Sequence, residues 1–201
     1  YKSNGGKMVD SEIGEIPEGW EVKKFKDIFN FDKGKTPKSK GKEKKEGYVK
    51  YLTISVLTGN RDFYAPPENV VLANKKDIVM VMDGSRSGKI FRSLSGIVAS
   101  TLAKINIIEE IISEEFIYLL LKDYENEFMT KTTGSAVPHA DKKYILSRNI
   151  ALPKNDNLMQ DFNCVTKKIM NKISNNRIQN ENLNNLRETL LPKLMSGKIE
   201  M

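Results

Sequence analysis

The sequence predicts an α+β chain. A compact, mixed, mostly antiparallel β-rich domain with small helices occupies residues 1–153, and one long C-terminal helix of coiled-coil type occupies residues 154–201. Three observations predict it. Between residues 48 and 107, short stretches rich in Val, Ile and Tyr alternate with Gly, Asn, Pro and Asp, which mark strands and turns. From Phe116 to Phe128, apolar residues recur at helical spacing. Beyond Asp156, no helix breaker occurs until Pro192.

Taken in order, residues 1–19 are polar and carry Gly5-Gly6, Gly14 and Pro17, and are read as a linker or an extended opening strand. Trp20, Val22, Phe25, Ile28 and Phe29 begin the packed part, with Trp20 as a core anchor. Residues 33–50 hold eight lysines against Glu43 and Glu46, a local charge of +6, and Gly34, Pro37, Gly41 and Gly47 break any regular element. This stretch is read as a mobile basic loop. Strands are expected at Tyr48–Val56, Asn69–Leu72, Asp77–Met82, Lys89–Arg92 and Ile97–Ile107. Ser113 is placed to cap a helix through Phe116, Leu119, Leu120, Tyr124 and Phe128. A loop at 132–139, a short helix at Asp141–Leu146 and a strand at Ile150–Leu152 complete the domain.

The final helix, with Asp156 as cap, is expected over 157–191, roughly 50 Å at about 1.5 Å per residue. Phe162, Val165, Ile169, Ile173, Leu183, Leu186, Leu190 and Leu194 form its apolar stripe. A small globule cannot bury so long a stripe, so a second long helix is expected against it. Asn176 and Asn180 fall on the seam, where they either fix the register of pairing or mark a looser middle.

Composition bounds the chemistry. The 201 residues carry 33 Lys and Arg against 26 Asp and Glu, a net charge of +7. That balance favours a polyanionic partner such as nucleic acid, although lysine- and asparagine-rich composition also arises from genome bias. The single cysteine, Cys164, excludes an intrachain disulfide and fits a cytosolic chain. No apolar run is long enough to cross a bilayer, and no signal peptide is visible. The start at Tyr1 rather than Met is read as that of an excised piece.

Catalytic and metal chemistry find little support. One histidine, His139, and one cysteine cannot build an ordinary zinc site. Gly84-Ser85-Arg86-Ser87-Gly88-Lys89 is one residue short of a phosphate-binding loop and has Ile90 where a magnesium-binding hydroxyl belongs. It is read as a tight polar loop between strands. Dinucleotide-binding and amino-methyltransferase signatures are missing from the sequence.

Duplex DNA recognition needs phosphate contacts for affinity and base-edge contacts for specificity. Lys33, Lys35, Thr36, Lys38, Ser39 and Lys40 offer the first kind, or are simply a solvated charge run. Base-reading side chains stand in three further loops: Arg61 beside Asn60 and Asp62; Ser85, Arg86 and Ser87, followed by Lys89; and Thr132, Thr133 and Ser135. Arg86 can pair bidentately with a guanine, or with Asp83 as an ordinary surface arginine. His139 can reach a phosphate or base, or serve as a turn residue beside Pro138.

Lys7 to Val22, with Ile13-Gly14-Glu15-Ile16-Pro17-Glu18-Gly19-Trp20 within it, looks like the run that opens a target-recognition domain in the specificity subunits of type I restriction–modification systems, which the order of segments resembles. Lys33-Gly34-Lys35-Thr36-Pro37 is similar to the family's early Gly-x-Thr-Pro segment. Asp77–Gly84 and Val98–Leu102 resemble its central strands. Thr133–His139 followed by Ile150–Pro153 looks like the end of the domain, and Arg187–Ile199 like the end of the spacer helix. Lys154-Asn155-Asp156-Asn157 departs from the frequent Pro-Leu-x-Glu-Gln run.

The resemblance implies a non-catalytic subunit that reads one part of a split double-stranded DNA target. Methyltransferase subunits carrying S-adenosylmethionine dock on it, and restriction motor subunits join them, in the cytoplasm of a prokaryote. A full subunit of this family has two recognition domains and two antiparallel spacer helices. The Tyr1–Gly6 opening resembles the connection into a second half, so a C-terminal half is expected, whose helix pairs with that of another copy or of the other half. The competing readings are a nucleic-acid-binding module without sequence preference, an enzyme holding phosphate in the 84–89 loop, and a helical adaptor.

Overall fold

The computed structural model describes residues 5–196, and the contacts part between Gln160 and Asp161 into two units. The first opens with β1 (Met8–Val9) and β2 (Ile16–Pro17), an antiparallel hairpin closed by Glu18 N–H donating to the Lys7 carbonyl at 2.8 Å. The stretch read as a linker or an extended opening strand thus contains a paired hairpin; of the Tyr1–Gly6 opening that resembled an inter-half connection, residues 1–4 lie outside the described residues.

Then follow β3 (Trp20–Lys24), α1 (Phe25–Ile28), β4 (Phe29–Lys33), β5 (Val49–Leu52), α2 (Ile54–Leu57), β6 (Tyr64–Ala65), β7 (Leu72–Ala73), β8 (Ile78–Val81), β9 (Ile90–Arg92), β10 (Gly96–Val98) and β11 (Leu102–Ile107). The helical part comprises α3 (Glu114–Asp123), α4 (Glu125–Thr130), the hairpin β12 (Thr132–Thr133) and β13 (His139–Ala140), α5 (Lys142–Ser147), and β14 (Asn149–Pro153) pairing antiparallel with β3. The last element is α6 (Asp156–Met195).

Two four-stranded sheets organise the domain, ordered β4-β11-β8-β9 and β6-β5-β10-β7. Every pairing is antiparallel except β5 with β10. Strand β8 is buried along its whole length because its two faces serve two cores. Ile78 and Met80 join the core with Phe25, Phe29, Ile117, Leu121 and Phe128, whereas Val79 and Val81 join the core with Leu52, Ile97, Val98 and Leu102. A period-two alternation of apolar side chains thus packs both sides of one sheet. The α+β class, the mostly antiparallel sheets and the long terminal helix are as the sequence predicts.

Several boundaries differ from expectation, each for a local reason. Tyr48–Val56 is a strand only to Leu52, because Thr53 Oγ1 caps α2 by accepting from Val56 N–H. Ile97–Ile107 is two strands separated by a turn in which Leu102 N–H donates to the Ala99 carbonyl at 2.9 Å. Ser113 does cap α3, but the helical run to Phe128 breaks at Tyr124, which ends α3 and precedes α4. Asp141 caps α5 through Tyr144 N–H. Trp20 is only half-buried, opposite Pro153, and the deep aromatic anchors are Phe25, Phe29 and Phe128.

At the start of α6 the capping oxygen belongs to Asn155, whose Oδ1 accepts from Asn157 N–H at 2.9 Å, so Asp156 lies in the first turn. The helix also runs through Pro192 to Met195. A proline removes its own N–H and crowds the carbonyl four residues back, yet the helix continues, and Ser196 N–H closes the next turn on the Pro192 carbonyl. Within the second unit, Phe162, Ile169, Ile173, Leu183, Leu186, Leu190 and Leu194 are exposed, as are Asn176 and Asn180.

Candidate nucleic-acid interface

Three of the four segments predicted to meet DNA converge on one carboxylate. Asp83 follows β8, and its backbone bridges to that of His139 in the β12–β13 hairpin. Gly84 N–H donates to the Pro138 carbonyl at 2.9 Å, and Ala140 N–H to the Met82 carbonyl at 2.8 Å. The side chain of Asp83 then takes two partners. Its Oδ1 lies 2.8 Å from His139 Nδ1, and its Oδ2 lies 3.2 Å from Lys33 Nζ at the end of β4. Burial pushes the Asp83 carboxyl up, but the hydrogen bonds and charges of His139 and Lys33 outweigh it and hold the group below its ordinary value.

A carboxylate depressed on folding stabilises the protein above its unfolded titration range, and that contribution is lost as pH falls through the folded value. The unfolding free energy of the wild type should therefore exceed that of Asp83→Asn near neutrality by less than about 1 kcal/mol, as for a partly exposed pair. The difference should shrink as pH falls below the ordinary carboxylate range and be lost once the folded group is itself protonated. A constant difference across that range would show that the ionised form is not the one that matters.

The basic segment is tethered rather than free at its start. Gly34 N–H donates to the Leu102 carbonyl at 2.9 Å and Lys35 N–H to the Val98 carbonyl at 3.2 Å, while Thr36 Oγ1 donates to Ser100 Oγ at 3.0 Å. Lys35, Thr36, Lys38, Ser39 and Lys40 are exposed. Further along, Gly41 pairs with Tyr64 in both directions, which brings the segment to the Asn60–Asp62 loop. There Lys40 lies over the Tyr51 ring at 5.3 Å, Ser39 Oγ is 3.4 Å from Tyr48 Oη, and Lys50 pairs with Asp62 at 2.9 Å. Arg61 is exposed.

In the loop after β8, Ser85 and Arg86 are exposed at the tip, and the Arg86 guanidinium makes no ion pair among the described residues. Asp83, its expected surface partner, is occupied by Lys33 and His139. Ser87 is a correction: it is 2% exposed, and its hydroxyl lies 2.7 Å from the Gly84 carbonyl and 2.8 Å from the Pro138 carbonyl. Such a serine locks the loop to the hairpin and presents nothing to a ligand. Lys89 is half-buried, with its ammonium over the Phe91 ring at 5.8 Å. Gly88 permits the chain to pass α4, since a Cβ there would lie 2.7 Å from the Met129 nitrogen.

On the hairpin, Thr133 and Ser135 are exposed and Thr132 is half-buried. With Lys33, Asp83, His139, Lys142 and Lys143, Thr133 lines a concavity of roughly 350 Å³. Lys142, Lys143, Ser100 and Thr101, whose carbonyl accepts from Met82 N–H at 2.8 Å and Asp83 N–H at 3.3 Å, stand at this candidate interface and are not singled out by sequence reasoning. The small polar run Ala99-Ser100-Thr101 within a presumed single strand was the one available signal for the latter two. Among the described residues no group of acidic, histidine or cysteine side chains is arranged to hold a metal, and no helix is long and apolar enough to cross a membrane.

Residues 17–190 match the family model described as type I restriction modification DNA specificity domain. The type I restriction enzyme MjaVIII specificity subunit of Methanocaldococcus jannaschii is 33% identical over 140 residues, 69% of this chain and 33% of that protein. The MjaIX specificity subunit of the same organism is 26% identical over 204 residues, 93% of this chain and 46% of that protein. The HsdS subunit from Thermoanaerobacter tengcongensis shares the fold with a TM-score of 0.57 at 15% identity, covering 96% of this chain and 48% of its own. The chain thus spans less than half the length of these relatives. With the family model covering most of its residues, the chain belongs to the type I restriction modification DNA specificity domain family.

Proposed function

We infer that this chain is a sequence-reading module for double-stranded DNA that acts as specificity component of a type I restriction–modification complex. It reads one part of a split target and positions methyltransferase subunits, and with them restriction subunits. The observation that carries this reading is the meeting of the basic segment, the Arg86 loop and the β12–β13 hairpin at Asp83, in a chain of this family. Lysines for phosphate and an unpaired arginine for a base edge then lie on segments joined to one another. The relatives named above are called specificity subunits, which favours this reading over nonspecific binding or an adaptor role.

The chain itself does no bond chemistry in this scheme. S-adenosylmethionine belongs to the methyltransferase subunit, and the complex works in the prokaryotic cytoplasm. The exposed stripe of α6 pairs with a second spacer helix, from another copy or from the other half of a longer subunit.

Selection from a randomised duplex pool at physiological salt, with the modification subunits assembled, tests the function. A short fixed motif should be enriched. Arg86→Ala should relax one position of that motif and weaken specific binding by about 1–3 kcal/mol, the worth of a bidentate base contact. A folded, assembled chain that enriches nothing would return the reading to nonspecific binding or an adaptor.

A further inference from the structure

Asp83 has the wrong charge for a surface that binds phosphate, yet it sits where the interface segments meet. It engages His139 at 2.8 Å and Lys33 at 3.2 Å. The His139 and Lys33 side chains are 49% and 50% exposed, against 23% for the carboxylate. A DNA phosphate can therefore reach either of them, but must draw it from Asp83. By contrast, Lys35, Lys38 and Arg86 make no ion pair among the described residues.

We propose that Asp83 is a specificity-determining residue, whose carboxylate occupies Lys33 and His139 so that they add no phosphate affinity on arbitrary DNA. This rests on the reading of the chain as a DNA-recognition module. Phosphate contacts carry no sequence information, so every lysine free to make one tightens binding to any duplex. Discrimination is a ratio of specific to nonspecific affinity, and it improves when nonspecific affinity is held down. On a fitted target, base contacts bring the backbone close enough to compete with Asp83. On other duplexes phosphate must displace the carboxylate unaided, against its repulsion, which acts within a Debye length of about 10 Å at 0.1 M salt.

Asparagine can replace Asp83 with little change in shape. It keeps an oxygen for hydrogen bonding, and the loop remains fixed to the hairpin by the Gly84–Pro138 and Ala140–Met82 backbone bonds and by Ser87. Only the charge is lost.

The test measures binding of the full chain to a scrambled duplex of about 25 base pairs and to the selected duplex, over about 50–200 mM salt. Asp83→Asn should bind the scrambled duplex roughly three- to tenfold tighter at low salt, with the slope of log K against log salt steeper by about 0.9 for each phosphate gained. Preference for the selected duplex should narrow by a similar factor. Adding Lys33→Gln to Asp83→Asn should remove most of the gain. Alone, Lys33→Gln should lower scrambled-duplex affinity less than Lys38→Gln does, because its lysine is already held.

Unchanged or weaker nonspecific binding by Asp83→Asn, with an unaltered salt slope, overturns the proposal; loosening of the fold does not steepen that slope. Should Asp83→Asn fail to fold, the Lys33→Gln comparison decides, and a loss as large as that of Lys38→Gln overturns the proposal. Failure of the unsubstituted chain to bind either duplex refutes the DNA-recognition reading itself, and is seen before any substitution is made.

Discussion

Gly34→Ala is expected to lower the stability of the domain by about 3 kcal/mol and to abolish sequence-specific binding. A Cβ at Gly34 would lie 2.1 Å from the Ala99 carbonyl oxygen, 2.4 Å from that of Val98 and 2.7 Å from the Ala99 carbonyl carbon. All three are backbone atoms of a buried strand and its turn, so no side chain can rotate to make room. Relief requires the segment after β4 to part from the β10–β11 turn. That breaks the Gly34–Leu102 and Lys35–Val98 backbone bonds. These tethers set Lys33 beside Asp83 and Thr36 beside Ser100, so the interface loses its register along with its stability. At about 2–4 °C per kcal/mol for a domain of this size, melting should fall by roughly 6–12 °C. A variant that melts like the wild type and still enriches the same motif would show that the close approach is not required.

That glycine shows what the sequence withheld. Gly34 is read from sequence as a breaker within a mobile basic loop, because glycine marks both flexibility and close contact. Only the neighbour, sixty-odd residues away in the chain, separates the two meanings. Local signals fared better. Ser113 caps the helix it was expected to cap, and a short helix begins at Asp141 where one was expected, since the capping oxygen, the N–H it meets and the following apolar spacing are all adjacent in sequence. The apolar run within Asp77–Met82 was legible as a strand, but not the fact that it faces two cores, which depends on what packs against it. The break at Tyr124 was invisible because apolar spacing carries on through it; Tyr124 stacks on Phe128 at 5.7 Å and meets Phe25 edge-on at 5.4 Å across the break.

The candidate site divides in the same way. Residue types at loop tips could be read, and Arg86 and Ser85 are exposed as such residues must be. Ser87, of equal promise by type, is buried, because the β12–β13 hairpin supplies a carbonyl that no local pattern announces. The meeting of Lys33, Asp83 and His139 joins positions 50 and 56 residues apart, and follows from strand pairing rather than from any motif. Charge pattern therefore named the segments, and topology chose which side chains they present.

The second large effect is expected on α6. From Phe162 to Leu194 its seam advances thirty-two residues in nine steps, about 3.56 per step, close to the period at which two helices stay in contact along their length. The seam is also nearly symmetric about position 178. Reversing it sets Phe162 against Leu194, Ile173 against Leu183 and Asn176 against Asn180, so an antiparallel partner copy would place apolar residues on apolar ones and amide on amide. The same reversal brings Lys168 level with Glu188, whereas parallel pairing would face Lys167, Lys168 and Lys172 with themselves. Self-pairing in this sense predicts a dimer by sedimentation at about 100 µM, which Ile173→Asp should convert to monomer by placing two carboxylates in the seam, at a cost of several kcal/mol. Orientation is read by cross-linking in a Cys164→Ser background. Phe162→Cys chains should form disulfides with Leu194→Cys chains and neither with itself, since the two positions lie about 48 Å apart along the helix. Self-cross-linking of each variant would establish parallel pairing, and a monomer at that concentration would leave the seam to the other half of a longer subunit.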